Sequence, residues 1–202
     1  MKIARGRELL TSEQRQALMQ IPEDEWVLAT YYTLSKRDLE IINKRRREEN
    51  RLGFAIQLAV LRYPGWPYTY IKSIPDSVIH YISKQIGATP FSLSLYPQRE
   101  NTLWNHLKEI RNEYDFVTFT LKEYRMTFKH LHQLALENGD AIHLLHECID
   151  FLRKDKIILP AIEELLHHMS PLGWKHINLL GEYHFNSEKM VSLDSLRPLK
   201  LS

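Results

Sequence analysis

The 202-residue sequence has little of several things that define other protein classes. It carries one cysteine, Cys148, which excludes an internal disulfide and fits a reducing compartment. Its seven glycines fall well short of the usual share of about 7%, which disfavours glycine-rich phosphate loops and a turn-rich β fold. No apolar run approaches the roughly 20 residues needed to cross a bilayer. The opening Met1-Lys2-Ile3-Ala4-Arg5-Gly6-Arg7-Glu8 is too charged for a signal peptide, so a cytoplasmic location without membrane contact is expected. An excess of one charge is also missing: 27 Lys and Arg stand against 25 Asp and Glu, a net +2. Catalytic signatures are absent too, with no Gly-x-Ser-x-Gly, Walker loop or glycine-rich dinucleotide turn. Carboxylates are plentiful, yet no spacing gathers them at one pocket as two-metal phosphoryl chemistry requires. Neither an enzyme, a cofactor nor a small-molecule substrate is expected.

What is present reads as helix. A hydrophobic share of 44% and a charged share of 26% are ordinary for a globular chain long enough for one or two domains. Helix-start signals recur. Thr11-Ser12-Glu13-Gln14 and Ser35-Lys36-Arg37-Asp38 have the form of capping boxes, the second flanked by Leu34 and Leu39 as a hydrophobic staple. Ser73-Ile74-Pro75-Asp76 opens a helix with Val78, Ile79, Ile82 and Ile86 on one face, closed by Gly87. Leu103, Leu107, Ile110 and Tyr114 form another stripe. Thr120 to Glu123 caps a helix carrying Tyr124, Phe128 and Leu131 and ending near Asn138-Gly139. Asp140 caps one carrying Ile142, Leu145, Ile149 and Leu152. Strand-like alternation is confined to Phe116-Val117-Thr118-Phe119. The expected class is all-α: two consecutive helix-turn-helix units, residues 1–66 and 67–160, then a weakly structured tail, 161–202. The Pro-Gly-Trp-Pro loop after Arg62 separates the two units.

The local charge pattern is more informative than the net charge. Lys44, Arg45, Arg46 and Arg47 lead straight into an amphipathic segment, the order expected of a basic turn before a presented helix. If that helix starts at Asn50, then Asn50, Gly53 and Gln57 share a face while Leu52, Ala55, Ile56 and Ala59 point to a core. Asn and Gln pair with adenine in the major groove, Gly53 permits close approach, and Arg45, Arg46, Arg47 and Arg51 suit phosphates. The alternative is a solvated turn whose field Glu48 and Glu49 dilute. In the second unit, Arg99, Thr102, His106 and Glu109 read as a polar face, either a second DNA-reading surface or an ordinary solvent face. His143, His146 and Cys148, with His167-His168, lack the paired spacing of a zinc site, so no metal is expected. Trp66, Tyr68 and Tyr70 suit base stacking or, more commonly, the covering of a core edge.

Over about residues 5–165 the sequence resembles the N-terminal region of transposases of the Tn-three family of replicative transposons. The resemblance runs through Leu10 to Arg15, Tyr32 to Ser35, Arg51 to Leu58, Leu61 to Gly65, Arg99-Glu100-x-Thr102-x-x-x-His106-Leu107-x-Glu109-Ile110 and Ile157 to Pro160. It implies helical DNA-binding domains that recognise the transposon's terminal inverted repeats, with double-stranded DNA and full-length transposase as expected partners. Ser170 to Tyr183 and Leu196 to Leu199 resemble the family's extreme C-terminus. Together the two matches imply an internal deletion joined near Ala161–Met169 that removes the RNase H-like domain and its Asp-Asp-Glu triad. Leu103-Trp104-Asn105 departs from a more basic family pattern. The rival expectation is a protein-interaction module whose DNA surface has decayed.

Overall fold

A computed structural model describes residues 10–97, 99–137 and 141–168. Helices dominate, in the order α1 (Ser12–Met19), α2 (Glu25–Tyr31), α3 (Lys36–Ile42), α4 (Glu48–Arg62), α5 (Asp76–Ile86), α6 (Glu100–Tyr114), α7 (Leu121–Glu137), α8 (Ala141–Lys154) and α9 (Ile162–His168). Short 3-10 helices occupy Tyr68–Tyr70 and Pro90–Leu95. Two-residue strands, β1 (Val117–Thr118) and β2 (Ile157–Ile158), pair in parallel, Val117 opposite Ile157. The fold is all-α, and the one strand expected from the sequence is β1.

The start signals act as their chemistry requires. Thr11 Oγ1 accepts from the Gln14 N–H while the Gln14 side chain accepts from the Thr11 N–H, a complete capping box. Ser35 and Asp38 form the second. Gly87 ends α5 at φ 61°, and Asp115 ends α6 in the same left-handed region at φ 60°. Thr120 gives both its N–H and its hydroxyl to the Glu123 carboxylate. The expected cap Asp140 and the Asn138-Gly139 stop lie outside the described residues.

Helix α4 is the centre of the fold. Every residue from Leu52 to Leu61 is buried, as befits a helix that is packed on all sides. Around it α2, α3, α5 and α6 supply Val27, Leu28, Ile41, Ile42, Val78, Ile82 and Ile110, so one core draws on both sides of residue 66. The expected division into units at that residue runs through this core. A second cluster gathers Leu131, Leu145, Ile149, Leu152 and Leu165 around Trp66, whose Nε1 donates to the Pro160 carbonyl at 2.9 Å. Gly65, at φ +103°, lets the loop fold under Leu159, whose N–H donates to the Gly65 carbonyl. Trp66 is therefore a core residue and not a stacking surface. Of the expected deletion joint, Ala161 to His168 is described: α9 buries Ile162, Leu165 and Leu166 in the second cluster. The tail segments Ser170–Tyr183 and Leu196–Leu199 lie outside the described residues. Among the described residues no helix is long and apolar enough to cross a membrane.

Candidate nucleic-acid interface

Helix α4 begins at Glu48 rather than Asn50, with Arg47 as its N-cap. Glu48 and Glu49 occupy the first turn, where the helix dipole favours negative charge. The turn from Asn43 to Arg47 displays Lys44, Arg46 and Arg47 to solvent, with Asn50 and Arg51 half-buried. Arg47 Nη1 lies 3.8 Å from Glu49 Oε1. Arg45 turns inward. Its Nη1 donates to the Ile41 carbonyl at 2.6 Å, its Nη2 lies 2.7 Å from Glu109 Oε2, and its guanidinium sits 3.3 Å from the Phe54 ring centroid. This pair fastens the turn to the middle of α6.

Two residues expected to face a duplex are interior. Gly53 is covered by the Tyr96 ring, and Gln57 is 1% exposed. The polar i, i+3, i+7 spacing on α4 is real, but the 3-10 helix at Pro90–Leu95 and α6 cover that face. Gln57 is accommodated because its Nε2 donates to the Tyr96 hydroxyl and to the Leu103 carbonyl at 3.3 Å. His106, expected on an exposed face, is buried as well. Its Nδ1 lies 2.9 Å from the Tyr96 hydroxyl, its ring stacks on Tyr96 at 5.6 Å, and Phe54 meets it edge-on at 5.3 Å. Because the Tyr96 oxygen accepts from Gln57, its own proton is directed to His106 Nδ1. Burial, reinforced by the charge of Arg45, brings His106 down to about 4, so the ring is neutral at pH 7. Gln57, Tyr96 and His106 thus form a buried relay that locks α4 to α6. Four residues picked from the sequence (Arg45, Gly53, Gln57 and His106) do meet, but as the joint behind a surface rather than as the surface.

The surface itself lies one helical step away. At about 100° per residue, the positions opposite the Leu103/Leu107/Ile110/Tyr114 stripe are 101, 105, 108 and 112, whereas 102, 106 and 109 fall on its flank. The structure follows that geometry: Asn101, Trp104, Asn105, Lys108, Arg111 and Asn112 are exposed, Thr102 is half-buried and Arg99 is exposed at the helix start. Among the described side chains of α6, every exposed one is an amide, a cation or Trp104, which is 52% exposed. Amides can read base edges and cations can hold phosphates. Tyr96 had no signal in the sequence, since nothing local ties it to residues 39 positions before and 10 after.

Other candidates separate. Cys148 is buried in the second cluster, which pushes its thiol up to about 12, while His143 and His146 on the same helix are exposed. Among the described residues no three His, Cys, Asp or Glu side chains are placed to share a metal.

Residues 9–170 match the family described as a domain of unknown function, DUF4158. The transposase for transposon Tn1546 of Enterococcus faecium is 87% identical over 165 residues, which cover 82% of this chain and 17% of that protein. The transposase for transposon Tn501 of Pseudomonas aeruginosa is 35% identical over 77% of this chain and 16% of its own length. That for transposon gamma-delta of Escherichia coli (strain K12) is 29% identical over 82% of this chain and 17% of its own length. The chain thus spans about a sixth of the length of the relatives it matches.

Proposed function

We propose, from the premise that this chain belongs to the DUF4158 family, that its helical body binds the ends of a transposon as duplex DNA. The observation that carries the reading is the exposed face of α6, amide and cationic along its length, fastened by Arg45–Glu109 beside the cationic turn of Lys44, Arg46 and Arg47. The relatives' description as transposases of transposons supports DNA as the ligand class. In this reading Asn101, Asn105 and Asn112 meet base edges in the major groove. Lys44, Arg46, Arg47, Arg51, Arg99, Lys108 and Arg111 hold phosphates on either side, and Thr102 and Asn50 border the contact. Gly53, Gln57 and His106 act from behind, by fixing α6 against α4.

Binding on this reading proceeds without cutting, and the chain competes with full-length transposase for the same ends. The matched stretch, 17% of the Tn1546 relative, supports that part.

Fluorescence anisotropy with a duplex carrying the terminal inverted repeat of Tn1546, against a scrambled duplex, tests the binding. Specific proteins favour their site by roughly 10³-fold or more, and at least a tenfold preference is expected here. Equal affinity for both duplexes contradicts the reading. Strand cleavage with Mg²⁺ by the purified chain contradicts the non-cleaving part alone.

A further inference from the structure

One conspicuous apolar side chain lies outside the amide and cationic face of α6. Phe91 is 76% exposed, more than any other large hydrophobic residue among those described. It does not sit on a loose loop. The 3-10 helix that bears it is clamped on both sides: Ser92 is buried and donates to the Thr89 carbonyl at 2.7 Å, Leu93 packs on the main core, and Tyr96 is buried against Gly53. At its start, Thr89 Oγ1 donates to Glu48 Oε2 at 2.7 Å. Glu48 is the first residue of α4 and follows Arg47 directly, so the bond sets Phe91 at the cationic end of α4. Leu95, 51% exposed, follows one turn later.

We propose that Phe91 is a wedge that enters the base stack of duplex DNA beside phosphates held by Lys44, Arg46 and Arg47; this rests on the DNA-binding reading above. An apolar side chain rigidly mounted and flanked by cations has the form of the wedges that part base steps and kink a duplex. The two carboxylates nearby do not oppose it: Glu48 is engaged by Thr89, and Glu49 lies beside Arg47. Charge also selects the occupant. A second copy of the chain docked symmetrically on this patch would set its cations against the same cations, whereas a polyanion neutralises them. The contact opens one step on the duplex and bends it away from the wedge by roughly 20–90°.

The test uses the full chain and end duplexes carrying 2-aminopurine at successive positions, with donor and acceptor dyes at the duplex termini. The expected result is a fluorescence rise at one step and a shortened end-to-end distance on binding. Phe91→Ala abolishes both and weakens binding roughly tenfold, the scale of removing one base–aromatic stack. Its salt dependence stays that of the parent, because the cations are untouched. Phe91→Trp restores the signal. If Phe91→Ala leaves the 2-aminopurine rise and the bend intact while the duplex is still bound, the wedge is overturned and the DNA reading survives. If instead the parent chain sediments as a dimer that Phe91→Ala dissociates, the occupant is a second copy and the wedge is overturned. A parent chain that binds no end duplex at all fails both readings together.

Discussion

Replacing Gly53 with alanine separates a buried joint from an exposed contact by the sign of the stability change. A Cβ at Gly53 falls against Cγ, Cδ1 and Cδ2 of the Tyr96 ring, well inside the 3.5–4.0 Å spacing of carbon atoms at rest. The ring would have to retreat by roughly 1 Å or more. It is poorly placed to do so, because its hydroxyl is held by Gln57 and His106 and its face is stacked on the His106 ring. Overpacking of this kind costs about 1–3 kcal/mol, and the tether places this case at the upper end. Against it stands the helix-propensity gain of about 1 kcal/mol for Gly→Ala. The net loss is about 2 kcal/mol, or a midpoint lowered by about 4–8 °C for a chain of this length. Thermal melts followed by circular dichroism measure it. In a Tyr96→Ala background the obstruction is gone, and Gly53→Ala should then raise the midpoint. A solvent-exposed Gly53 would give the opposite result in the parent background. A higher midpoint for Gly53→Ala with Tyr96 present would refute the packing argument.

Three further outcomes follow from the same geometry. Asp38 is 1% exposed and receives two N–H groups from Arg62 at 2.8 and 2.9 Å; burial raises its carboxyl, but Arg62 and the Ser35 N–H outweigh that and bring it to about 2. Its contribution is present above the unfolded value near 3.9 and is lost as pH falls through about 2. Asp38→Ala should cost about 2–3 kcal/mol at pH 7 in urea melts, less than a fully buried pair because Arg62 is partly exposed. His106 behaves differently: unfolding frees a ring that takes a proton near 6.5, whereas the folded ring takes one only near 4. Stability should therefore fall as pH drops from about 6.5 towards 4, and His106→Gln should flatten that limb of a pH series of urea melts. Gln57→Leu should lower stability, by roughly 1–3 kcal/mol for the stranded Tyr96–His106 pair, and weaken every duplex alike, without the change in base preference that a reading residue would give; a binding-site selection on random duplexes decides it.

Much of the fold was legible because caps and apolar stripes are local. Thr11 with Gln14, Ser35 with Asp38, and the stripes of α5 and α6 each lie within a few turns of chain, so periodicity and capping chemistry identify them. The site was harder to read because exposure is a tertiary property. The same Gly53 and Gln57 spacing that suits a groove-facing helix also suits a helix buried under Tyr96, and no local pattern tells the two apart. Arg45 shows the same limit: one of four consecutive cations turns inward because Phe54 and Glu109 are there to receive it. The displacement on α6 was avoidable. Setting the polar face by angle from Leu103, Leu107, Ile110 and Tyr114 leads to Asn101, Asn105, Lys108 and Asn112, and away from His106.

The most direct test of the exposed α6 face as the DNA surface is the salt dependence of end-duplex binding for the parent chain and for the Lys108→Ala, Arg111→Ala double variant. Removing one phosphate-neutralising cation should reduce the slope of log K against log salt by about 0.9. The predicted slope for the double variant is shallower by about 1.8, with the melting midpoint unchanged because both side chains are exposed. An unchanged slope in the folded double variant would contradict the assignment of this face.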